Sequence, residues 1–306
     1  MKLEYRNARG KTIVFAAPDG WKDTPYLITG VSGAHGLDSE IASVEQFPRD
    51  GEVFIGARVE PRTITLDGMI HDHEGRNQTA KYRVPLLETM IPKELGTLTA
   101  SRGSFKRKIG CIVERAPFFA TATGKKFSVT LRCPDPYWTD ADGAASVELN
   151  GWIGLFEFAL AIPDASDGTD TDDPEDIDGI EFGTRGNTSI ASVYNAGQIT
   201  TGFTATITAG GTVVNPSLMN ITTQDTIKFR LTMLSGDTIK VSTSEYDKWA
   251  RWYHQDGTDE NAMKYIDPAF VFFALEPGGN ICRASADTGG ELLNVVFEYA
   301  LRYLGL

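Results

Sequence analysis

Three cysteines in 306 residues are too few for a disulfide framework. Cys111, Cys133 and Cys282 form no close metal-type pair and read as reduced, structural thiols. Basic residues are also scarce: 29 Lys plus Arg stand against 41 Asp plus Glu, for a net charge of -12. That balance counts against general nucleic-acid binding, because phosphate contacts need a basic face. Apolar runs are short, and none approaches the roughly 20 residues of a membrane helix. The opening MKLEYRNARGKTIVF is charged and alternating, unlike the apolar core of a secretory signal, so synthesis in a cytoplasm is expected. Catalytic signatures are missing too: the chain has no GxSxG, no HExxH and no P-loop. Abundant carboxylates alone do not make an acid/base pair, since glycoside hydrolysis needs a separation of roughly 5 to 9 Å that sequence cannot show. The chain reads as non-enzymatic, with no cofactor.

What charge there is lies unevenly. No Lys or Arg occurs between Arg132 and Arg185. Residues 1–138 hold 20 bases and 16 acids, a net +4, whereas residues 139–306 hold 9 bases and 25 acids, a net -16. The gap begins at CPDPYWTDADG, residues 133–143, directly after the alternating run KKFSVTLRC. Pro134 and Pro136 lack the amide hydrogen that a sheet ladder needs and must lie outside paired strand interiors. Either a capped loop or a handover between modules explains the stop. The charge step favours a boundary, giving domains 1–138 and 139–306.

In the first half, KTIVFA, YLITGV, RTITLDGMI, GTLTASR, KRKIGCIVERA and KFSVTLRC are β-branched or alternating runs punctuated by Gly, Pro and Asp. RNQTAKYRVPLLETMIPKELG, residues 76–96, differs: Leu86, Leu87 and Met90 stand at helical spacing, with Asn77 as cap and Gly96 past the end. Pro85 either kinks this helix or opens its last half. A β-sandwich or barrel carrying one helix is predicted. His71 and His73 share a strand face and with a third ligand would hold a metal, but the plain reading is a polar strand end, and no metal is expected. The FKRK cluster, Phe105 to Lys108, either grips an acidic partner or is the solvated limb of a hairpin turning at Gly103.

In the second half, PDASDGTDTDDPEDIDG, residues 163–179, carries eight acids and no base. Such a tract repels itself, so an exposed acidic loop is expected. Asp167, Asp170, Asp172 and Asp176 lack the spacing of an EF-hand calcium loop. Beyond it, short strands joined by Gly, Asn and Asp turns predict a jelly-roll sandwich. SEYDKWARWYHQDGTDENAMKY interrupts them with Trp249, Trp252 and Tyr253. These aromatics either close a core or interface, or stack on sugar as a carbohydrate platform.

The order of features resembles one family. LEYRN, RTITLDGMI, LLETMIPKELGTL and CIVERAPFF followed by FSVTLRCPDPYW resemble the N-terminal half of the distal tail protein of long-tailed (siphovirus) bacteriophages. VYNAG, NPSLMNITTQDTIKF, LSGDTIKVST and FFALEPGGNICRASAD extend the resemblance over nearly the whole chain. It implies an N-terminal belt domain that builds a homo-hexameric ring at the end of the tail tube, and a C-terminal galectin-like domain. CPDPYW then looks like the exit from the belt, with Tyr137 and Trp138 as interdomain anchor. The implied role is a virion hub joining the tail tube protein and tape-measure end to tail-tip and receptor-binding proteins, with DNA passing through the lumen. A carbohydrate-binding module for host-surface saccharide is the alternative.

Overall fold

The structure, a computed structural model, describes residues 1–18, 22, 24–48, 50–71, 79–120, 125–150, 152–158, 180–185 and 188–306. It divides into two compact units: residues 1–144 with 197–199 and 300–306, and residues 145–196 with 200–299. The break after Trp138 drawn from charge thus falls six residues before the unit boundary, and the chain's last seven residues belong to the first unit.

The first unit is built from β1 (Lys2–Arg6), β2 (Thr12–Ala16), β3 (Tyr26–Ser32), β4 (Ser39–Glu45), β5 (Glu52–Val59), β6 (Arg62–Ile70), α1 (Thr79–Thr89), β7 (Leu95–Arg102), β8 (Phe105–Phe119), β9 (Lys126–Cys133) and β10 (Trp138–Asp140). Seven of these strands close a barrel in the order β8-β7-β1-β2-β3-β6-β9, with β9 returning to β8. Alternation explains the closure. In β6 and β9 every second residue points inward, so Ile64 faces Leu131 and Leu66 faces Val129 across the ladder, all fully buried. Gly68 faces Phe127 because the aromatic ring fills the space a Cβ would need, 2.4 Å away. Full closure leaves no unpaired edge in the ring.

β8 is long enough to serve two neighbours. Along one edge its first half pairs with β10 and its second half with β9, and two register shifts within the β9 ladder, at Val113/Arg115 and Arg115/Phe118, bend that second half. At the seam, Ile112 lies opposite Arg132, which brings Cys111 beside Cys133. Their thiols are hydrogen-bonded, and that bond together with burial pushes the Cys111 pKa up. All three cysteines are free and buried, as expected of structural thiols.

The predicted helix is present but shorter than the sequence suggests. It runs through Pro85 and stops at Thr89, and Gly96 belongs to β7 rather than to a cap. The Asn7 amide donates to the Thr89 carbonyl at 3.1 Å and ends the helix from outside. Leu86 and Met90 are fully buried against the barrel, and the Tyr26 hydroxyl donates to the Tyr82 carbonyl at 2.7 Å. Asn77 and His73 lie outside the described residues.

The second unit contains β11 (Ala145–Asn150), β12 (Trp152–Phe158), β13 (Ile180–Arg185), β14 (Thr188–Asn195), β15 (Phe203–Ala209), β16 (Val213–Val214), β17 (Ser217–Asn220), β18 (Asp225–Lys228), β19 (Thr232–Met233), β20 (Thr238–Ser244), β21 (Asp247–Tyr253), β22 (Asp259–Asn261), β23 (Gly278–Ser285) and β24 (Leu293–Tyr299). A six-stranded sheet, β11-β24-β15-β20-β21-β22, and a four-stranded sheet, β14-β23-β17-β18, make the predicted sandwich. Phe203, Ala205 and Ile207 of β15 face Tyr299, Phe297 and Val295 of β24 on the inner side of the large sheet. Val193, Leu218, Cys282 and Ala284 bury the inner side of the small one. Alternation along β15, β23 and β24 is the pattern of two layers sharing a core. The acidic tract, residues 163–179, lies outside the described residues.

Candidate assembly surface

β4 and β5 pair only with each other among the described strands. Their ladder begins with Ser39 opposite Val59 and ends with Glu45 opposite Glu52. Between Ala42 and Ser43 the register slips, so that Ala42 faces Gly56 while Ser43 faces Phe54. Ile55 is the extra residue of that bulge. Cross-strand partners share a face, which puts Ile41 with Phe54 on one side of the ribbon and Val44 with Val53 on the other. Neither face is covered: Ile41 is 64% exposed, Phe54 65% and Ile55 66%, and Phe47 in the connecting loop is 100% exposed.

A two-stranded ribbon is marginal by itself in water, and contiguous apolar surface of this kind marks an interaction site. Arg58 and Glu40 form a salt bridge at 2.5 Å near its root. Glu45 and Glu52 stand directly opposite each other near its tip, a like-charge pair that disfavours the isolated hairpin.

The strand that stops at Cys133 leads into a second built feature of the same unit. Arg62, 4% exposed, aims its guanidinium at main-chain oxygens from three distant stretches. It donates to the Pro136 carbonyl at 2.8 Å, to Gly33 at 2.9 Å, to His35 at 3.1 Å and to Leu304. Burial pushes its pKa down, while Cys133 and Asp38 act the other way. Gly33 holds φ +74, and a Cβ there would lie 1.9 Å from the Thr63 carbonyl oxygen, so only glycine permits this approach.

Trp138 is fully buried and donates its indole N–H to the Ala34 carbonyl at 3.1 Å. Burial of a side chain this size contributes on the order of 4 kcal/mol. Tyr137 lies under the Arg302 guanidinium, 4.4 Å from the ring centre, and Arg302 also grips the Asp135 carboxylate at 2.7 and 2.9 Å. The short strand Arg302–Tyr303 pairs with β10. Arg107 stacks 3.6 Å above the Tyr303 ring and donates to the Gly305 carbonyl. Prolines at 134 and 136 end the sheet ladder, and the turn they form is held by arginines reaching its carbonyl and carboxylate oxygens.

In the second unit, β21 separates the three aromatics singled out from sequence. Trp252 points to the inner side, 8% exposed, stacked on His254 at 4.3 Å and edge-on to Tyr265 at 5.7 Å. Trp249 and Tyr253, odd-numbered on the same strand, face the other way. Trp249 donates to Asp247 at 3.2 Å, and Tyr253 is 37% exposed. The three side chains therefore do not make one stacking plane. Among the described residues there is also no group of three or more His, Cys, Asp or Glu able to hold a metal ion.

Residues 196–303 match the siphovirus-type tail component family, C-terminal domain. No curated protein matches the chain by sequence. Among solved structures, the Dit (gp 19.1) protein of phage SPP1, described as a paradigm of hub adsorption apparatus in Gram-positive infecting phages, superposes with a TM-score of 0.68. It has 11% sequence identity, with 99% of each chain covered. Two structures of the phage p2 baseplate in its activated conformation, with Ca and with Sr, give TM-scores of 0.49 at 11% and 12% identity over 100% of this chain and 99% of theirs. The siphovirus distal tail resemblance read from the sequence holds, and the SPP1 likeness extends the shared fold to both units.

Sequence reasoning overlooked the β4–β5 ribbon. EVFIGARV places Val53, Phe54 and Ile55 in succession, which satisfies neither a one-faced strand nor a helix. That failure of periodicity, between two strands that do alternate, was the available signal. Arg62 carried no such signal, because its partners come from residues as far apart as 33 and 304.

Proposed function

We propose that this protein is a structural hub of a phage tail, acting by assembly rather than catalysis. It forms a closed ring, six copies in the expected form, at the distal end of the tail tube, within the virion. The observation that carries the reading is the β4–β5 arm, an apolar ribbon with both faces open, in a chain that shares the fold of the SPP1 hub protein. An arm given by one copy and received by the next is a head-to-tail contact, and such contacts close into rings. The first unit, the belt, supplies these contacts. The second, galectin-like unit serves tail-tip and receptor-binding proteins, the tube and tape-measure proteins meet the ring along its axis, and DNA passes through the lumen.

Native mass measurement and electron-microscopy projections of the purified chain test this. A ring near six copies is expected. Phe54→Asp combined with Ile55→Asp should yield folded monomer, because these side chains are 65% and 66% exposed and contribute little to the core. A wild-type chain that stays monomeric at high concentration contradicts the hub reading.

A further inference from the structure

A cavity of about 560 Å³ opens in the first unit at the root of the arm. Leu37, Val59, Leu304 and Leu306 supply its apolar lining, and His35 and Arg107 its polar one. Ser39 and Val59, the first and last residues of the ribbon, also line it, so the cavity and the arm tip are separated by the length of the ribbon. That length is about 25 Å at roughly 3.3 Å per residue. A paired ribbon cannot double back on its own root, so a cavity there is free to receive the tip of another copy.

We infer that the arm tip of one copy seats in the root cavity of the next, with Phe47 entering between Leu37, Val59 and Leu304; this rests on the assembly reading above. Three observations commit the occupant to a second copy. Phe47 is 100% exposed, a large aromatic with nothing of its own chain around it. The stretch that carries it, residues 45–52, is net acidic, with Glu45 opposite Glu52 and with Asp50 and Arg49 in the loop sequence, three acids against one base. The cavity wall holds Arg107, within a stretch, residues 101–138, that has eight bases and two acids. Arg107 is already fixed by stacking on Tyr303 and Phe105, so it presents a preorganised positive edge. The contact sets a guanidinium against the glutamate pair and covers the exposed ring in one step.

The step has a geometric consequence. In a closed ring of six, the spacing between equivalent points equals their distance from the axis. Arms of about 25 Å joining root to root therefore set the cavities about 25 Å from the axis and leave the centre open.

The experiment replaces Phe47 by the photo-crosslinking residue p-benzoylphenylalanine in the full chain, a change at a fully exposed position. Isotope-labelled and unlabelled copies are mixed, irradiated and digested. Cross-links between differently labelled copies, mapping to residues 35–39 or 302–306, are expected. Inter-copy cross-links mapping elsewhere, with the ring intact, overturn the cavity contact and leave the hub reading standing; a chain that never assembles overturns both. Leu304→Trp, which fills the cavity, should raise the protein concentration needed for assembly roughly tenfold with an unchanged melting temperature. Unchanged assembly in that variant overturns the contact as well.

Discussion

In the first unit the buried polar tether is a guanidinium, Arg62, and in the second it is a set of amides, Asn195, Asn220 and Asn280. Arg62, Asn195 and Asn280 do the same work, tying loops by their main-chain carbonyls, while Asn220 donates to the Asn280 side chain and accepts from the Thr222 amide at 3.0 Å. Arg62 reaches four carbonyl oxygens. Asn280 donates to Glu276 at 2.8 Å and accepts from the Glu276 amide at 3.0 Å, while Asn195 donates to Leu275 at 3.0 Å. The difference lies in what each costs to bury and what it must span. A charged donor makes stronger bonds but carries a desolvation penalty, and it repays that only when nearly every donor is used. Arg62 meets the condition by gathering strands, turn and returning segment at one point. The amides are neutral and cost less to bury, and each holds fewer stretches than Arg62: Asn280 closes the turn at Glu276, and Asn195 reaches the single carbonyl of Leu275.

The largest effect expected from this contrast follows Arg62→Met, which keeps the apolar stem and leaves the carbonyls of Gly33, His35, Pro136 and Leu304 without their donor. The first unit should lose about 3 kcal/mol or more. Amide hydrogen exchange reads it as faster opening of β6 and β9 with the second unit unmoved. Equal loosening of both units breaks the contrast. Asn280→Ala should come next, costing about 2 kcal/mol and confined to β14 and β23, measured the same way.

The smallest effect is alkaline. Burial pushes the Cys282 thiol from 9.0 up to about 12, so the folded second unit favours the neutral thiol. This contribution is complete below pH 9 and is lost as pH rises toward 12, because the unfolded chain releases its proton first. Between pH 8 and pH 10 it amounts to about 1 kcal/mol. Chemical denaturation of Cys282→Ala at the two pH values should show a flatter dependence for the second unit than wild type.

Where the sequence was legible, one face of an element decides its fate. RTITLDGMI and KFSVTLRC alternate because the barrel buries every second residue, and that pattern survives without any partner in view. The helix was legible in Leu86 and Met90, yet its end was not, since Asn7, just past β1 and 82 residues earlier, stops it. Trp249, Trp252 and Tyr253 stood out by size, but strand parity, not composition, decides that Trp252 turns inward and the other two outward. The arm failed every periodic template because it buries neither face in its own chain. A ribbon left uncovered by its own chain leaves only such irregularity, and tethers such as Arg62 leave none.

The path of the chain has a bearing on how such proteins exchange parts. Residues 145–196 and 200–299 are spliced into the first unit rather than appended to it, and the chain passes between units four times. A recombination that replaced everything beyond Trp138 would carry off Arg302 and Leu304, leaving Asp135 without its arginine and Arg62 without the Leu304 carbonyl. A viable swap must instead keep 300–306, and 197–199 with its Gln198 contact to Leu304, in register with the resident barrel. Exchange of the second unit as a cassette therefore has to keep these seams, and a simple tail-for-tail exchange would weaken the part that stays.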